Sequence, residues 1–252
     1  MLEIVALNAL QDNYIWLIHH ATAAVVVDPG EAPPVLAYLL AHGLELTEIH
    51  CTHAHADHVA GVAPLLTAFP NAIVRAHATS PLAQMSAFRV ASVGKIALQG
   101  MANDDVLVLA IPGHTHDHIA FYWPHLAAVF CGDTLFAGGC GRVFTATAAQ
   151  LYMGLKTLAA LPPETKIYCA HEYTRSNLKF AQQVEPDNLM LQQRWESVQN
   201  LLACGQPTVP SHLAEEWATN PFLRCHLSNL KQSVIVNCGI EALSSAVETF
   251  KV

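Results

Sequence analysis

The sequence predicts an α/β domain of about 172 residues followed by a mainly helical one. Three observations predict it. Short apolar, strand-like runs alternate with helix-period stretches through the first two thirds of the chain. His and Asp residues fall where several of those runs end. From about Tyr173 the strand signals thin out and a helical period takes over, broken near Pro186.

In chain order, residues 14–19 and 23–28 read as two strands across a short turn. Residues 33–42 read as a helix, with Pro33-Pro34 at its first turn and Gly43 just past its end. A strand over 48–53 runs into a His-rich segment, and 59–69 reads as the next helix. Strands follow at 72–76 and 105–111, then a hairpin of 119–123 and 127–131 across Pro124-His125. Residues 148–161 are helical in period and 166–170 are a strand. Residues 180–204 are a long helical stretch, and little after Pro207 and Pro210 signals a strand. The expected division is 1–172, carrying the chemistry, and 173–252, helical. There is no internal repeat and no low-complexity tract.

Of the 252 residues, 52% are hydrophobic and 13% charged, enough to fill a core and too apolar for a disordered chain. The apolar runs, such as 23–27 and 35–41, fall well short of the ~20 residues that span a bilayer. The opening Met1-Leu2-Glu3-Ile4-Val5 has no basic region of the signal-peptide kind. A cytoplasmic protein without a membrane partner is therefore expected. The formal charge of −8, from 12 Lys+Arg against 20 Asp+Glu, excludes an extended nucleic-acid surface. It leaves room for a small anion, which one local cation can recognise. The Cys count of seven is odd and contains no CxxC pair. Cys51, Cys131 and Cys169 sit in or at the ends of apolar runs and read as buried, reduced thiols.

The 15 His residues are the anomaly, and their spacing carries the chemistry. Thr52-His53-Ala54-His55-Ala56-Asp57-His58 places four potential ligands within six residues, directly after a strand, with small alanines between them. Three further candidates sit at strand ends: His114 in Pro112-Gly113-His114-Thr115, Asp133 in Cys131-Gly132-Asp133-Thr134 and His171 in Cys169-Ala170-His171-Glu172. Any one of these alone reads equally well as an ordinary loop residue. Five His and two Asp exceed one tetrahedral zinc shell, so two metal ions sharing a carboxylate are implied. Asp133 is the natural bridge, because a carboxylate offers two oxygens and an imidazole one lone pair. No Cys belongs to the set, so a thiolate site is not implied. His116 and His118 read as surface or supporting residues. Asp28 reads equally as a support for the ligands or as the turn residue of Asp28-Pro29-Gly30.

His53-x-His55-x-Asp57-His58 with His114, Asp133 and His171 resembles the metallo-β-lactamase superfamily. More narrowly, six segments are similar to glyoxalase II (hydroxyacylglutathione hydrolase): Asp12-Asn13-Tyr14-Ile15-Trp16, Val27-Asp28-Pro29-Gly30, Pro112-Gly113-His114-Thr115, Cys131-Gly132-Asp133-Thr134-Leu135-Phe136, Gly138-Gly139-Cys140-Gly141-Arg142 and Ala170-His171-Glu172-Tyr173-Thr174. The resemblance implies a four-layer αβ/βα sandwich with a helical C-terminal domain. It implies His53, His55 and His114 on one metal, Asp57, His58 and His171 on the other, Asp133 between them and Asp28 behind the ligands. It gives Arg142 and Tyr173 to a glutathione-derived substrate.

The expected reaction is hydrolysis of a glutathione thioester, S-lactoylglutathione to lactate and glutathione, by a hydroxide held by two divalent metals. Zinc is the first expectation, with iron and manganese also compatible with the ligand types. Asp57 and Asp133 are the carboxylates at the reacting centre. A thiolate, with a pKa near ~8.5, can leave without a proton donor, and the chain shows no separate Ser-His or paired-carboxylate set. A monomer is expected. The resemblance fails at one place. The family ends with an Arg and, three residues later, a Lys that grip a carboxylate of glutathione. Aligned on Glu248-Thr249-Phe250, this chain has Ser244 and Val247 there, with Lys231 and Lys251 out of position. That departure keeps open a hydrolase of another thioester or of a lactone. A related single-iron persulfide dioxygenase, a nuclease of the same superfamily and a non-catalytic metal binder fit the sequence less well.

Overall fold

The structure, a computed structural model, describes residues 2–101, 105–227 and 230. These fall into two compact units. The first comprises Met1–Ala110 and Asp117–Gly132, and the second Ile111–His116 with the described residues from Asp133 onward.

In the first unit β1 (Glu3–Ala9), β2 (Asn13–His20), β3 (Ala23–Val27), β4 (Glu45–His50), β5 (Ile73–Ala76) and β6 (Phe88–Val90) form one sheet in that order. β1 to β3 are antiparallel and β3 to β6 parallel. The parallel steps need crossovers, supplied by α1 (Pro33–His42), by α2 (Ala56–Val59) with α3 (Val62–Ala68), and between β5 and β6 by a segment with one 3-10 turn, Pro81–Gln84. β7 (Gly94–Ala97), β8 (Asp105–Ala110), β9 (Ile119–Trp123) and β10 (Ala128–Gly132) pair antiparallel in a second sheet. β2 is buried for six consecutive residues because both its faces are covered. Ile15 and Leu17 join the cluster of Val26, Val35, Leu39, Ile49 and Leu65, while Trp16, on the opposite face, meets Phe130 of β10 with ring centroids 6.5 Å apart.

α1 is delimited as its sequence signals require. Pro33 and Pro34 occupy its first turn, and Gly43 closes it at φ 62°, in the left-handed region that a Cβ disfavours. Its Val35 and Leu39, one turn apart, are its buried residues.

A buried ionic group ties the two sheets together. Glu48 and His50 of β4 are both wholly buried, with His50 Nε2 2.8 Å from Glu48 Oε2. Arg75 of β5 donates to both Glu48 oxygens at 2.6 and 3.1 Å and to Ala97 O of β7, and Gln99 N donates to Glu48 Oε1. His50 stacks on Phe121 of β9 at 4.4 Å. Burial pushes the Glu48 carboxyl up, but the His50 and Arg75 contacts outweigh it and hold the group at about 2.

In the second unit β11 (Leu135–Phe136) and β12 (Gly139–Cys140) make a small hairpin. α4 (Ala148–Ala159) starts at a capping box, Thr147 with Gln150. Gly154 lets the Ile111–Pro112 backbone lie close against this helix, and a Cβ there would sit 3.2 Å from it. β13 (Lys166–Cys169) pairs antiparallel with β14 (Ser211–His212). α5 (Thr174–Val184) and α6 (Leu189–Ala203) pack through Leu178, Ala181, Leu191 and Val198. α7 (Leu213–Thr219) and the short α8 (Pro221–Arg224) follow. Ser244 and Val247 lie outside the described residues.

Several sequence expectations need correction. The strand expected over 48–53 is Glu45–His50, because the Thr52 amide leaves the ladder for the Asp28 carboxylate, 2.8 Å away. The single helix expected over 59–69 is two. Gly61 bends the chain where its N–H meets Pro29 O at 2.8 Å, and a Cβ there would stand 2.6 Å from that oxygen. The helical stretch expected from residue 180 already begins at Thr174, and its expected break near Pro186 separates α5 from α6. β1, β6, β7, β11, β12 and β14 were not expected at all.

Candidate metal centre

The first unit carries the His-rich loop, and Asp28 organises it. Asp28 ends the β3 segment at φ 51°, a left-handed conformation that Asp tolerates better than most residues. Its carboxylate accepts from Thr52 N at 2.8 Å, Thr52 Oγ1 at 2.7 Å and His58 Nδ1 at 3.0 Å. A carboxylate only accepts, so His58 carries its proton on Nδ1 and its lone pair on Nε2. The Thr52 hydroxyl gives its proton to Asp28. It therefore accepts from His53 Nδ1, 3.1 Å away, which leaves His53 Nε2 as that ring's lone-pair nitrogen. One buried carboxylate thus sets the tautomers of two imidazoles, one directly and one through a hydroxyl. Although Asp28, His53 and His58 place ligand-type atoms within 4.8 Å of one another, three hydrogen bonds already occupy the Asp28 oxygens. That arrangement suits the part expected of it, behind the ligands.

The other two loop residues converge on the same place. His53 Nε2 lies 3.0 Å from His55 Nδ1. Asp57 Oδ2 lies 3.5 Å from His58 Nε2 and accepts from Asn13 Nδ2 at 3.2 Å. α2 starts at Ala56, with His55 extended before it, which turns Asp57 and His58 together into the first helical turn. His118, buried, stacks on His53 at 4.6 Å and 19°. It packs on a ligand candidate, in keeping with the supporting role expected of it. Gly132 must be glycine: it sits at φ 48°, and a Cβ would overlap Thr52 Oγ1.

The second unit carries the remaining three. His114 Nδ1 donates to Arg142 O across 2.8 Å, which places the lone pair on Nε2. That nitrogen is 3.5 Å from Asp133 Oδ2, and His171 Nε2 is 3.4 Å from Asp133 Oδ1. Each Asp133 oxygen therefore faces a different imidazole. His114, Asp133 and His171 are all buried. Gly141 has no room for a Cβ, which would overlap Asp133 O. Tyr173 lies parallel to His171 at 4.7 Å, and Phe136 meets both rings edge-on. Arg142 is exposed.

This donor set suits a divalent cation. It consists of carboxylate oxygens and imidazole nitrogens, and in His53, His58 and His114 the lone-pair nitrogen is fixed by a partner behind the ring. Among the described residues no thiol belongs to the candidate groups. Burial, and then the Asp28 charge, pushes Cys51 well above its usual range, and burial takes Cys169 to about 12. Cys51, Cys131 and Cys169 are free and buried. Sequence reading missed the parts played by Thr52 and Asn13, and it missed that the Arg142 carbonyl fixes a ligand. Asn13 and Arg142 stand inside the family-like segments, but nothing local shows what they bond.

Comparison with known proteins places this geometry. A model of the metallo-beta-lactamase superfamily matches residues 10–171, and one of the hydroxyacylglutathione hydrolase C-terminus matches residues 172–252. The chain belongs to the hydroxyacylglutathione hydrolase family. The hydroxyacylglutathione hydrolase of Aeromonas salmonicida is 44% identical over 252 residues, covering 100% of this chain and 97% of that one. Those of Dechloromonas aromatica and Synechococcus are 48% and 47% identical, covering 98% and 96% of this chain and 89% and 96% of theirs. Among solved structures, ETHE1 from Myxococcus xanthus matches with a TM-score of 0.66 at 25% identity, over 95% of this chain and 92% of that one. TTHA1623, solved in a di-iron-bound form, matches with 0.57 at 34% identity, over 67% and 91%. The fold is the metallo-β-lactamase α/β sandwich with a helical C-terminal region, as the sequence predicted, and the family is one of hydrolases. No helix among the described residues is long and apolar enough to cross a membrane.

Proposed function

We propose that this enzyme hydrolyses hydroxyacylglutathione thioesters, with S-lactoylglutathione giving lactate and glutathione. It does so on two divalent metal ions, with zinc the preferred metal. His53, His55 and His114 would hold one ion and Asp57, His58 and His171 the other, with Asp133 shared. The observation that carries the reading is a cluster of His and Asp side chains, three of its imidazoles with fixed tautomers, on a chain related over its whole length to hydroxyacylglutathione hydrolases. Residues 173–252 would serve the substrate, and the protein would work in the cytoplasm as a monomer.

When bound, the metals supply an acidified water and a Lewis acid for the thioester carbonyl. The chain does the rest. Asp28 keeps the His58 proton on Nδ1 and, through Thr52, the His53 proton on Nδ1. Asn13 fixes the Asp57 carboxylate, which offers an acceptor oxygen to the attacking water. The leaving thiolate needs no proton donor, because its conjugate acid has a pKa near ~8.5. Arg142 pairs with a substrate carboxylate, and Tyr173 contributes an aromatic face beside His171.

The test is loss of thioester absorbance with S-lactoylglutathione, run beside a thioester without glutathione and a lactone. Hydrolysis of the glutathione thioester with the highest kcat/KM supports the proposal. A preference for either other substrate replaces it with the second reading, which Ser244 and Val247 at the places of the tail cations favour.

A further inference from the structure

We propose that Asn220 and Glu216 are positioning residues for Asp133 and His114, acting through the β11–β12 hairpin. The inference rests on the metal-binding role given above to those two ligands. The hairpin begins two residues after Asp133 and ends two residues before Arg142, whose carbonyl fixes His114. It turns over Ala137 and Gly138, with Gly138 at φ 70°. Side chains of the later helices hold its backbone. Gly138 N donates to Glu216 Oε2 at 2.9 Å. Asn220 Nδ2 donates to Phe136 O at 3.3 Å and Gly139 O at 3.0 Å, and Asn177 Nδ2 to Ala137 O at 3.1 Å.

The anchor is itself rigid. Glu216 and Asn220 are wholly buried and joined at 2.9 Å. Glu216 Oε1 takes Arg194 Nη2 at 2.5 Å, and Arg194, also buried, reaches Thr219 Oγ1 and Glu215. Burial raises the Glu216 carboxyl, but the Arg194 charge and hydrogen bond, together with contributions from the Ser211 hydroxyl and the Gly138 amide, outweigh it and keep Glu216 ionised. A buried ion pair is seldom a gain in stability over apolar packing. This one turns one carboxylate oxygen outward to a backbone amide between two ligand positions. On the far side Gly141 N bonds Thr134 O at 3.2 Å, and Gly141 has no Cβ room against Asp133 O. A shift of the hairpin therefore moves Asp133 and the Arg142 carbonyl together. Neither Asn220 nor Glu216 bonds a ligand itself; they act through the backbone.

The experiment uses the full chain loaded with zinc. Asn220→Asp turns a donor to two carbonyls into an acceptor facing them. Glu216→Gln is milder, keeping an oxygen for the Gly138 amide while losing the charge opposite Arg194. Val198→Ala is the control: it loosens the α5–α6 cluster and removes none of the hydrogen bonds that hold the hairpin. Zinc affinity by chelator competition, Tm, kcat and KM are measured for all three and the wild type. The expected result is zinc held about 10- to 100-fold less tightly in Asn220→Asp, a smaller loss in the same direction in Glu216→Gln, and wild-type affinity in Val198→Ala despite a lowered Tm. In both hairpin variants kcat should fall with KM little changed, because neither residue meets substrate. If Asn220→Asp does not fold, Glu216→Gln decides. Zinc affinity in the hairpin variants no weaker than in Val198→Ala at equal loss of Tm would overturn the inference and leave a purely structural ion pair. A wild type that ignores S-lactoylglutathione while the zinc contrast persists would remove the substrate assignment and support the positioning role.

Discussion

The Asp28 carboxylate accepts the Nδ1 proton of His58 across 3.0 Å, inside the protein and from a left-handed backbone conformation. The contact commits the other ring nitrogen, Nε2, to whatever the loop binds. Asp28→Asn tests it with little added strain, since Asn also tolerates positive φ. The variant keeps an acceptor for Thr52 N and loses the charge opposite His58. We expect a folded protein that binds zinc about 10- to 100-fold more weakly, read by competition with a chromophoric chelator. Unchanged affinity would leave Asp28 as a turn residue.

Asp133 presents one oxygen to His114 and the other to His171. The wild type is expected to hold about two metal ions per chain by elemental analysis. Asp133→Ala should lose hydrolysis and hold both ions less firmly. One tightly bound ion at full activity would contradict the shared-carboxylate reading, as would an Asp133→Ala protein with two ions and near-normal turnover.

Glu48 links stability to pH. Its carboxyl is held at about 2, below its ordinary 4.5. A depressed folded-state value means stabilisation that is fully present above the unfolded value and lost as pH falls toward the folded one. The displacement corresponds to roughly 3 kcal/mol. Urea unfolding of the metal-free protein should show Glu48→Gln less stable than wild type by about that much at pH 7. The difference should shrink through the window from 4.5 down to about 2. A gap independent of pH would show that the buried ionic group is not the cause.

Ser244 and Val247 stand where the family carries cations. A charge-assisted hydrogen bond contributes ~1.5–3 kcal/mol, so one missing contact weakens binding by roughly 10- to 100-fold. A carboxylate remote from the reacting carbonyl is held equally in ground and transition states, so the loss should fall on KM. The wild type is expected to show a poor KM for S-lactoylglutathione, improved by combining Ser244→Arg with Val247→Lys. A low-micromolar KM that the double substitution leaves unchanged would assign the carboxylate to other residues.

Local chemistry made much of this protein legible in its sequence. Residues 53–58 stand within two turns of chain, and the Pro33 and Gly43 limits of α1 depend only on φ preferences. The strand ends at His114, Asp133 and His171 follow apolar runs that any strand would make. Several elements left no such trace, the two-residue strands β11, β12 and β14 among them. β1 and β7 are half-exposed strands with mixed burial, and β6 is three residues long, so no clean period marks them. Only the tertiary structure decided what fixes the rings of His53, His58 and His114. Thr52 and His58 find Asp28 at separations of 24 and 30 residues, His114 meets a backbone carbonyl 28 residues away, and Asn220 reaches Phe136 across 84. A hydrogen bond over such distances depends on where the folded chain brings two groups together. The period of neighbouring side chains carries no record of it.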